Sequence, residues 1–420
     1  MQAPSVSFLA SRTLPAKSLE LFFDYSCPYA YLASHAAPEV ALRMGVRIIY
    51  RPFLLGGVFQ ARGTPQNLMA QLSSAKAAHN LRDMQRWASR RGVPLVVPPE
   101  HPRKTVQALR ATLVCDADPK VIAGFFHAYW VLGQDPSALS TIAEVVTAAG
   151  YDAKEVLARI ETAEIKDALR VATDRAIARG VFGAPTFFVD GTHLYWGQDR
   201  LAFVEGLPAP AVPSTTAGRG RVVEAFWDYS SPFAYLGMAH VETVAARTGA
   251  AVVSRPMLLG AVFKALGQVN VPIETFSPER RANVMADLER WAAHLNVPYT
   301  FPTRFPMSSL KALRATLLLP EAARRPFRES VFRAYWAEDR DISDEAVLGD
   351  LLGDAAPGVL PRLSDPAVKS ELAAATQAAL DRGVFGAPTF VVDGELYWGQ
   401  DRLDFVEEHL TRTAGAASAP

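Results

Sequence analysis

The chain has 420 residues, of which 50% are hydrophobic and 20% charged, with 43 basic and 43 acidic side chains. This length and composition predict about two to four domains with well-filled cores. The even charge balance disfavours nucleic acid or an anionic membrane surface as the main partner.

The cysteine count and the first residues bear on the compartment. Cys27 and Cys115 are the only cysteines, which excludes a disulfide framework and fits a reducing environment. Residues 1–18 contain one short apolar patch, at 7–10, with no basic residue before it, so no signal peptide is expected. A run of about 18 apolar residues, which would predict a membrane span, is missing. The sequence therefore predicts a cytoplasmic protein, and it predicts no metal site.

The first half opens with a strand, a sharp turn and a helix. An apolar run at 19–23 predicts a short buried strand, and a helical pattern follows at 30–44. Between them lies Asp24-Tyr25-Ser26-Cys27-Pro28, which places a polar side chain and a proline at the start of the helix. A second strand is predicted at 46–51.

A long helical section separates these elements from the end of the half. Apolar residues recur through it at three- and four-residue spacing. The predicted helices are 68–90, 102–114, 121–132, 140–149 and 151–179. The half then ends with a strand entered through Pro185, an Asp190-Gly191 hairpin turn, a strand at 194–196 and a helix at 199–205. This order predicts an α/β fold that is interrupted by an inserted helical domain.

The second half of the chain repeats the first. Asp24 and Asp228 lie 204 positions apart, and the offset is still 203 at Pro185 and Pro388. An offset held across half of a chain indicates a duplicated domain. The predicted divisions are a first domain at 17–207 with a helical insertion at about 62–178, a linker at 208–219, and a second domain at 220–412 with an insertion at about 266–381.

Cys27 and Ser231 occupy matching positions at the two helix starts. Unpaired N–H groups and the positive end of the helix dipole lower a thiol's pKa there, so Cys27 is a candidate reactive thiol. A small buried hydrophobic residue is the alternative interpretation. Ser231 can donate a hydrogen bond to a thiolate brought by another molecule, or cap the helix, or do both. Cys115 lies on an apolar helix face and is predicted to belong to the core.

The chain has no second cysteine at the CxxC spacing. Position 30 is Ala30, and the second half contains no cysteine at all. A two-thiol redox cycle within one domain is therefore excluded.

Each half also carries an Ala-Pro pair before a strand and a Gly-Gln-Asp-Arg sequence near its end. The prolines of Ala184-Pro185 and Ala387-Pro388 either begin an edge strand or follow a cis bond, which would present backbone groups to a peptide ligand. In Gln198-Asp199 and Gln400-Asp401, the aspartate either caps the last helix or joins the glutamine in holding an α-amino group.

With these pieces in order and present twice, each half resembles kappa-class glutathione transferases and, more closely, the 2-hydroxychromene-2-carboxylate isomerase family. The matching pieces are the Asp-Tyr-Ser-Cys/Ser-Pro turn, Arg-Pro-Phe/Met-Leu-Leu-Gly, Val-Phe-Gly-Ala-Pro-Thr-Phe and Tyr-Trp-Gly-Gln-Asp-Arg-Leu. The resemblance covers 19–207 and 221–410. It implies two tandem thioredoxin-like domains, each with an inserted α-helical domain as in the DsbA oxidoreductases.

The resemblance implies glutathione as the cofactor. Ser231 would face its sulfur, and Ala387, beside a cis Pro388, would pair with its cysteinyl unit. Gln400 and Asp401 would hold its γ-glutamyl end.

Asn270 resembles a further glutathione-binding asparagine of the family, where the first half shows Gly63-Thr64-Pro65 instead. The first-half residues that correspond to the other site positions are Cys27, Ala184, Pro185, Gln198 and Asp199. The family usually has serine at the sulfur-facing position, so Cys27 is a departure from its pattern.

The implied activity is a glutathione-dependent isomerisation of an unsaturated aromatic hydroxy- or keto-carboxylate, by reversible thiolate addition, in aromatic catabolism. One alternative is a thiol–disulfide oxidoreductase or glutathione transferase that uses Cys27. Another is a non-catalytic module that binds glutathione or a peptide. Relatives of this type are commonly homodimers, so the tandem chain is expected to be a monomeric pseudo-dimer.

Overall fold

The computed structural model describes residues 18–206, here the first half, and 215–412, here the second half. The predicted linker at 208–219 is described only from residue 215, and both tails lie outside the described residues. Contacts group the described residues into two compact units. The first contains residues 18–70 and 82–206, and the second contains residues 71–81 together with the second half.

Each half is built on a four-stranded mixed sheet. The strands are β1 (Ser18–Phe23), β2 (Arg47–Pro52), β3 (Thr186–Val189), β4 (His193–Trp196), β5 (Val222–Trp227), β6 (Ala251–Pro256), β7 (Thr389–Val392) and β8 (Glu395–Trp398). Their order is β2-β1-β3-β4 in one sheet and β6-β5-β7-β8 in the other. In each sheet the first two strands are parallel and the other two neighbouring pairs are antiparallel.

The helices follow the same order in both halves. Those of the first half are α1 (Pro28–Met44), α2 (Leu55–Ala61), α3 (Ser74–Arg91), α4 (Val106–Val114), α5 (Pro119–Trp130), α6 (Leu139–Ala148), α7 (Ala153–Arg159), α8 (Ala163–Ala178) and α9 (Leu201–Glu205). Those of the second half are α10 (Pro232–Thr248), α11 (Leu259–Ala265), α12 (Pro278–His294), α13 (Leu310–Leu318), α14 (Glu321–Trp336), α15 (Glu345–Leu352), α16 (Ala356–Val359), α17 (Pro366–Asp381) and α18 (Leu403–Thr411). The predicted α/β order is confirmed, with the helical block inserted between the second and third strands of each sheet.

The strand–turn–helix unit at the start of each half forms for local reasons. The central strand β1 is apolar along most of its length, and Leu19, Leu21 and Phe23 are fully buried. Pro28 occupies the first turn of α1, where its missing N–H leaves no intrahelical bond unmade. Gly45 ends the helix with a positive φ of 68°, which a residue without Cβ adopts without strain.

One helix prediction was wrong, and three helices were missed. The single helix predicted at 151–179 is α7 followed by α8, because the Oγ1 of Thr162 accepts a hydrogen bond from Ile165 N and caps a new helix. Helices α2, α11 and the short α16 were missed. The glycines of α2, Gly56 and Gly57, are poor helix formers, so tertiary contacts decide its conformation.

The predicted Asp-Gly hairpin turns are confirmed, and they explain the drift of the repeat. Val189 pairs with His193, so the first turn contains three residues. Val392 pairs with Glu395, so the second contains two. The extra residue shortens the offset between the halves from 203 to 202.

Aromatic side chains of the helical block hold the turn that follows β1. Trp130 Nε1 donates to the carbonyl of Tyr25 at 2.8 Å, and the Tyr25 hydroxyl lies 2.6 Å from Thr112 Oγ1. Trp336 and Tyr229 repeat the first contact at 2.8 Å in the second half. Each buried hydrogen bond contributes about 1 kcal/mol. The helical insertion therefore stabilises the turn directly. Within the two described ranges, no helix combines the length and the apolar composition needed to cross a bilayer.

Candidate functional site

Ser231 lies at the start of α10 and joins two parts of the second half. Its Oγ accepts a hydrogen bond from Ala234 N at 3.1 Å and donates to the carbonyl of Ala387 at 2.9 Å. The capping role is therefore confirmed. The side chain is 5% exposed. Its proton points at a backbone oxygen, and rotation about the Cβ–Oγ bond can turn it toward a ligand.

Cys27 occupies the corresponding position in the first half but has different acid–base properties from those expected. Its Sγ donates to the carbonyl of Ala184 at 3.0 Å, and it accepts no capping bond. Burial raises the pKa of the Cys27 thiol to about 12, although the N–H groups of Ala30 and Tyr29 oppose this rise. The expectation of a lowered pKa was therefore wrong, because desolvation outweighs the helix N-terminus. Cys115 is buried, as predicted.

The Ala-Pro pairs lie directly against these two side chains. The peptide bonds Ala184–Pro185 and Ala387–Pro388 are cis. The carbonyl of Pro185 accepts from Gly197 N at 3.0 Å, and Pro388 and Gly399 repeat this bond at 3.0 Å. The structure thus links the helix start, the proline pair and the Gly-Gln-Asp-Arg sequence in each half.

The glutamine and aspartate of this sequence are not helix caps. Residues Gln198–Arg200 and Gln400–Arg402 form short 3-10 helices that precede α9 and α18. Asp199 lies inside the first of these, and the N-cap residues are Gly197 for the 3-10 helix and Arg200 for α9. The N-cap interpretation of Asp199 was therefore wrong. Gln198 and Gln400 are both buried.

Asn270 lies apart from this chain of contacts. It is exposed, and its Oδ1 packs so closely on Gly260 of α11 that a Cβ there would lie 2.7 Å away. In the first half, Gln66 packs on Gly56 in the same way, and its Nε2 donates to the Gly56 carbonyl at 3.0 Å. The counterpart of Asn270 is therefore Gln66, at the offset of 204 that also relates Asp24 to Asp228, and not the 63–65 segment proposed from sequence.

A family model described as a DSBA-like thioredoxin domain matches residues 18–207 and, a second time, residues 222–411. The chain belongs to this family. Its two DSBA-like domains confirm the predicted pair of thioredoxin-like domains that arose by duplication.

Proteins similar to one DSBA-like domain at a time include enzymes of two kinds. A 2-hydroxychromene-2-carboxylate isomerase of Sphingobium xenophagum is 32% identical over 193 residues, which span 45% of this chain and 98% of that protein. Human glutathione S-transferase kappa 1 is 29% identical, over 45% of this chain and 91% of that protein. A solved 2-hydroxychromene-2-carboxylate isomerase structure is 28% identical, covers 45% of this chain and 93% of that one, and has a TM-score of 0.42. The chain is an enzyme of this family.

Each DSBA-like domain contains a buried carboxylate that was not among the site residues predicted from the sequence. Asp24 accepts hydrogen bonds from Ser26 N at 3.0 Å, Leu55 N at 2.8 Å and Thr105 Oγ1 at 2.7 Å. Burial raises its pKa, although these bonds oppose the rise. The carboxylate ties the Cys27 turn to the starts of α2 and α4. Its position three residues before Cys27, in both copies, was the available signal.

Asp228 makes the same connection in the second DSBA-like domain. It accepts from Ser230 N at 2.9 Å and from Leu259 N at 2.7 Å, and Ser309 takes the place of Thr105. Burial again raises the pKa of the carboxyl group. The anchoring of the turn is therefore independent of whether the turn ends in cysteine or serine.

In the second compact unit, side chains from residues 71–81 flank Trp398. The Nζ of Lys76 lies 4.8 Å from the ring centroid, and Trp398 N donates to Nε2 of His79 at 3.3 Å. Burial lowers the pKa of Lys76. Since these residues are about 320 positions from Trp398 in the sequence, no local pattern indicates the contact.

Proposed function

We propose that the second DSBA-like domain catalyses a glutathione-dependent isomerisation of the 2-hydroxychromene-2-carboxylate type. Its substrate would be an unsaturated aromatic hydroxy- or keto-carboxylate. The observation that carries the proposal is the position of Ser231, whose hydroxyl is buried at a helix start beside Ala387 and Pro388. The isomerase relatives support the reaction type.

The residues of the second half fit the chemistry of glutathione. Glutathione would supply a thiolate that adds reversibly to a conjugated carbon of the substrate. Ser231 would donate a hydrogen bond to the sulfur and so stabilise the thiolate, and the Ala387 backbone beside Pro388 would bind the peptide portion. Gln400 offers an amide oxygen and Asp401 a carboxylate, which suit the α-ammonium group at the γ-glutamyl end. Asn270 would contribute a further polar contact at the rim.

A calorimetric titration with glutathione tests the proposal, together with an isomerase assay. Wild type should bind, Ser231→Ala should bind more weakly, and its turnover should fall about 100-fold because one donor to a developing charge is lost. Cys27→Ala serves as the matched control and should retain both properties. A wild-type chain that binds no glutathione would overturn the cofactor assignment.

The second candidate function is a thiol–disulfide oxidoreductase or glutathione transferase reaction at Cys27. Its support is the position of the Cys27 sulfur, which contacts Ala184 as Ser231 contacts Ala387. The high pKa of the buried thiol speaks against it. Cys27→Ser separates the two functions, because loss of disulfide reduction with isomerase activity intact would assign different reactions to the two halves. Binding of glutathione with no turnover of any electrophile would instead favour the non-catalytic module.

We also propose that the chain is a monomeric pseudo-dimer and acts in the cytoplasm. The tandem repeat supports the first statement, since two homologous domains are already joined in one chain. Both cysteines are free and buried, which fits a reducing compartment. Sedimentation should give one chain of 45.6 kDa. A stable species of twice this mass would contradict the pseudo-dimer.

A further inference from the structure

A residue that contacts the Gln-Asp sequence of the first half is replaced in the second half. Arg91 is the last residue of α3, and its counterpart at the offset of 204 is Leu295, which directly follows α12. The guanidinium of Arg91 donates from Nη1 to the Leu32 carbonyl and from Nη2 to the Gln198 carbonyl, both at 3.2 Å. A further short contact joins Nη2 to Oε1 of Gln198. Arg91 therefore binds the first-half glutamine through both of its carbonyl oxygens.

The contact between Arg91 and Gln198 occupies a hydrogen-bond acceptor that an ammonium group would need in the first-half site. An ammonium group is a donor only, so it requires acceptors. In Gln198 the amide oxygen is already bound by a guanidinium. The remaining amide group, Nε2, is buried, is itself a donor, and has no acceptor among the described residues. Gln198 is 1% exposed, so water cannot readily substitute for the missing partner.

Charge acts in the same direction. The carboxylate of Asp199 is close enough to Arg91 for the two to attract each other. A ligand ammonium entering beside Asp199 would therefore meet a fixed positive charge that is already present. Like charges brought together in a poorly hydrated site disfavour binding. Each aspartate also pairs with the arginine that follows it, Asp199 with Arg200 at 3.1 Å and Asp401 with Arg402 at 3.3 Å, so this charge is common to both halves. The halves differ in the added guanidinium of Arg91, since Leu295 carries no charge and no guanidinium donates to Gln400 among the described residues.

We infer that Arg91 is a specificity-determining residue that excludes the α-ammonium group of glutathione from the first half. One chain then binds one glutathione, in the second half. The inference rests on the proposed glutathione dependence of the second half. It separates a catalytic half from a half whose Cys27 lies in a site that rejects the family's cofactor.

Calorimetric stoichiometry on the full chain tests this assignment. Wild type should bind one glutathione, and Arg91→Leu, which copies the second half, should bind two. Leu295→Arg makes the reciprocal change and should weaken the remaining site by about tenfold or more. A wild-type stoichiometry of two would overturn the inference and leave the proposed function intact. No binding by any variant would overturn both.

A glutathione analogue that lacks the α-amino group distinguishes the ammonium argument from a merely structural effect. Arg91 should not discriminate against this analogue, so wild type should bind two molecules of it, and Arg91→Leu should not change that number. Arg91→Lys keeps the positive charge and should leave glutathione binding at one. If Arg91→Leu altered the binding of glutathione and of the analogue equally, the role of the ammonium group would be wrong. Thermal unfolding of each variant verifies that it is folded.

Discussion

The two DSBA-like domains share the framework of their sites and differ in the groups that a ligand would meet. Asp24 and Asp228 anchor both turns through the same backbone partners. Cys27 and Ser231 each contact the carbonyl before a cis proline. The differences include a thiol for a hydroxyl, Gln66 for Asn270, and Arg91 for Leu295. Duplication has thus conserved the scaffold, while a few side chains at the candidate sites differ between the halves.

The cores differ as well, most clearly beneath the second sheet. Arg328 is 2% exposed there and donates to Glu242 Oε1 at 3.0 Å and to Ser254 Oγ at 3.2 Å. Trp227 Nε1 also donates to this hydroxyl, at 2.7 Å. Trp130 and Trp336 are matching residues, and eight positions before Trp130 the place of Arg328 is held by the buried Ile122. The buried arginine of one half therefore corresponds to a buried aliphatic side chain in the other.

The largest effect is expected from breaking this network on one side. Glu242→Ala should lower the free energy of unfolding by about 3 kcal/mol, because it leaves a buried guanidinium without its carboxylate. Arg328→Ile, which copies the first half, should cost less, since Glu242 keeps its contact with Arg325 at 3.3 Å. Urea denaturation of the full chain measures both. An equal or larger cost for Arg328→Ile would show that the network contributes stability of its own.

The second largest effect is expected from removing the buried aspartate that anchors the turn in each half. Asp24→Ala and Asp228→Ala should each cost about 2 kcal/mol, because buried N–H groups lose their acceptor. The two costs should be similar. A large difference between them, measured by urea denaturation, would mean that the turns are not held in the same way.

The same aspartates predict a pH dependence of stability. Burial raises both pKa values above the ordinary 3.8, so the folded chain keeps protons that the unfolded chain has released. Their contribution to stability is therefore greatest below the ordinary pKa, and it falls as the pH rises toward the raised folded-state value. Urea midpoints across this acidic interval should show a smaller fall in Asp24→Asn and Asp228→Asn. An unchanged pH slope in both variants would contradict the assignment.

Exchange of the two helix-start residues tests how far they set the chemistry. Ser231→Cys should reduce isomerase activity by about tenfold, because a thiol is a weaker donor to a thiolate than a hydroxyl is. Cys27→Ser should leave this activity unchanged. Steady-state kinetics with glutathione present measures both variants. Loss of activity in Cys27→Ser would place the reaction in the first half.

The smallest effect is a shift in the reactivity of Cys27. Because burial raises its pKa to about 12, alkylation in a Cys115→Ala background should accelerate with pH and reach no plateau below about pH 10. The rate of iodoacetamide labelling checks this. A plateau near the ordinary cysteine value would show that the thiol is less desolvated than the structure indicates.

The secondary-structure elements that local signals determine could be predicted from the sequence. A short apolar run, Pro28 at a helix start and an Asp-Gly turn act on their immediate neighbours, so their patterns predict the strand, the helix and the hairpin. The constant offset between the halves predicted the duplication. Helix α2 was not predicted, because its glycines disfavour the helical conformation that tertiary packing imposes.

The candidate site, like the fold, was predictable from the sequence only in part. The sequence alone determined which residues are candidates, since Cys27, Ser231 and the two Ala-Pro pairs lie in a repeated order. Only the tertiary structure decided their properties. Cys27 meets a carbonyl 157 positions away, and burial by such distant residues reverses the expected shift of its pKa. Arg91 and Gln198 are 107 positions apart, so their contact follows from packing and from no local pattern. Desolvation and partner choice depend on three-dimensional proximity, which a local sequence pattern does not contain.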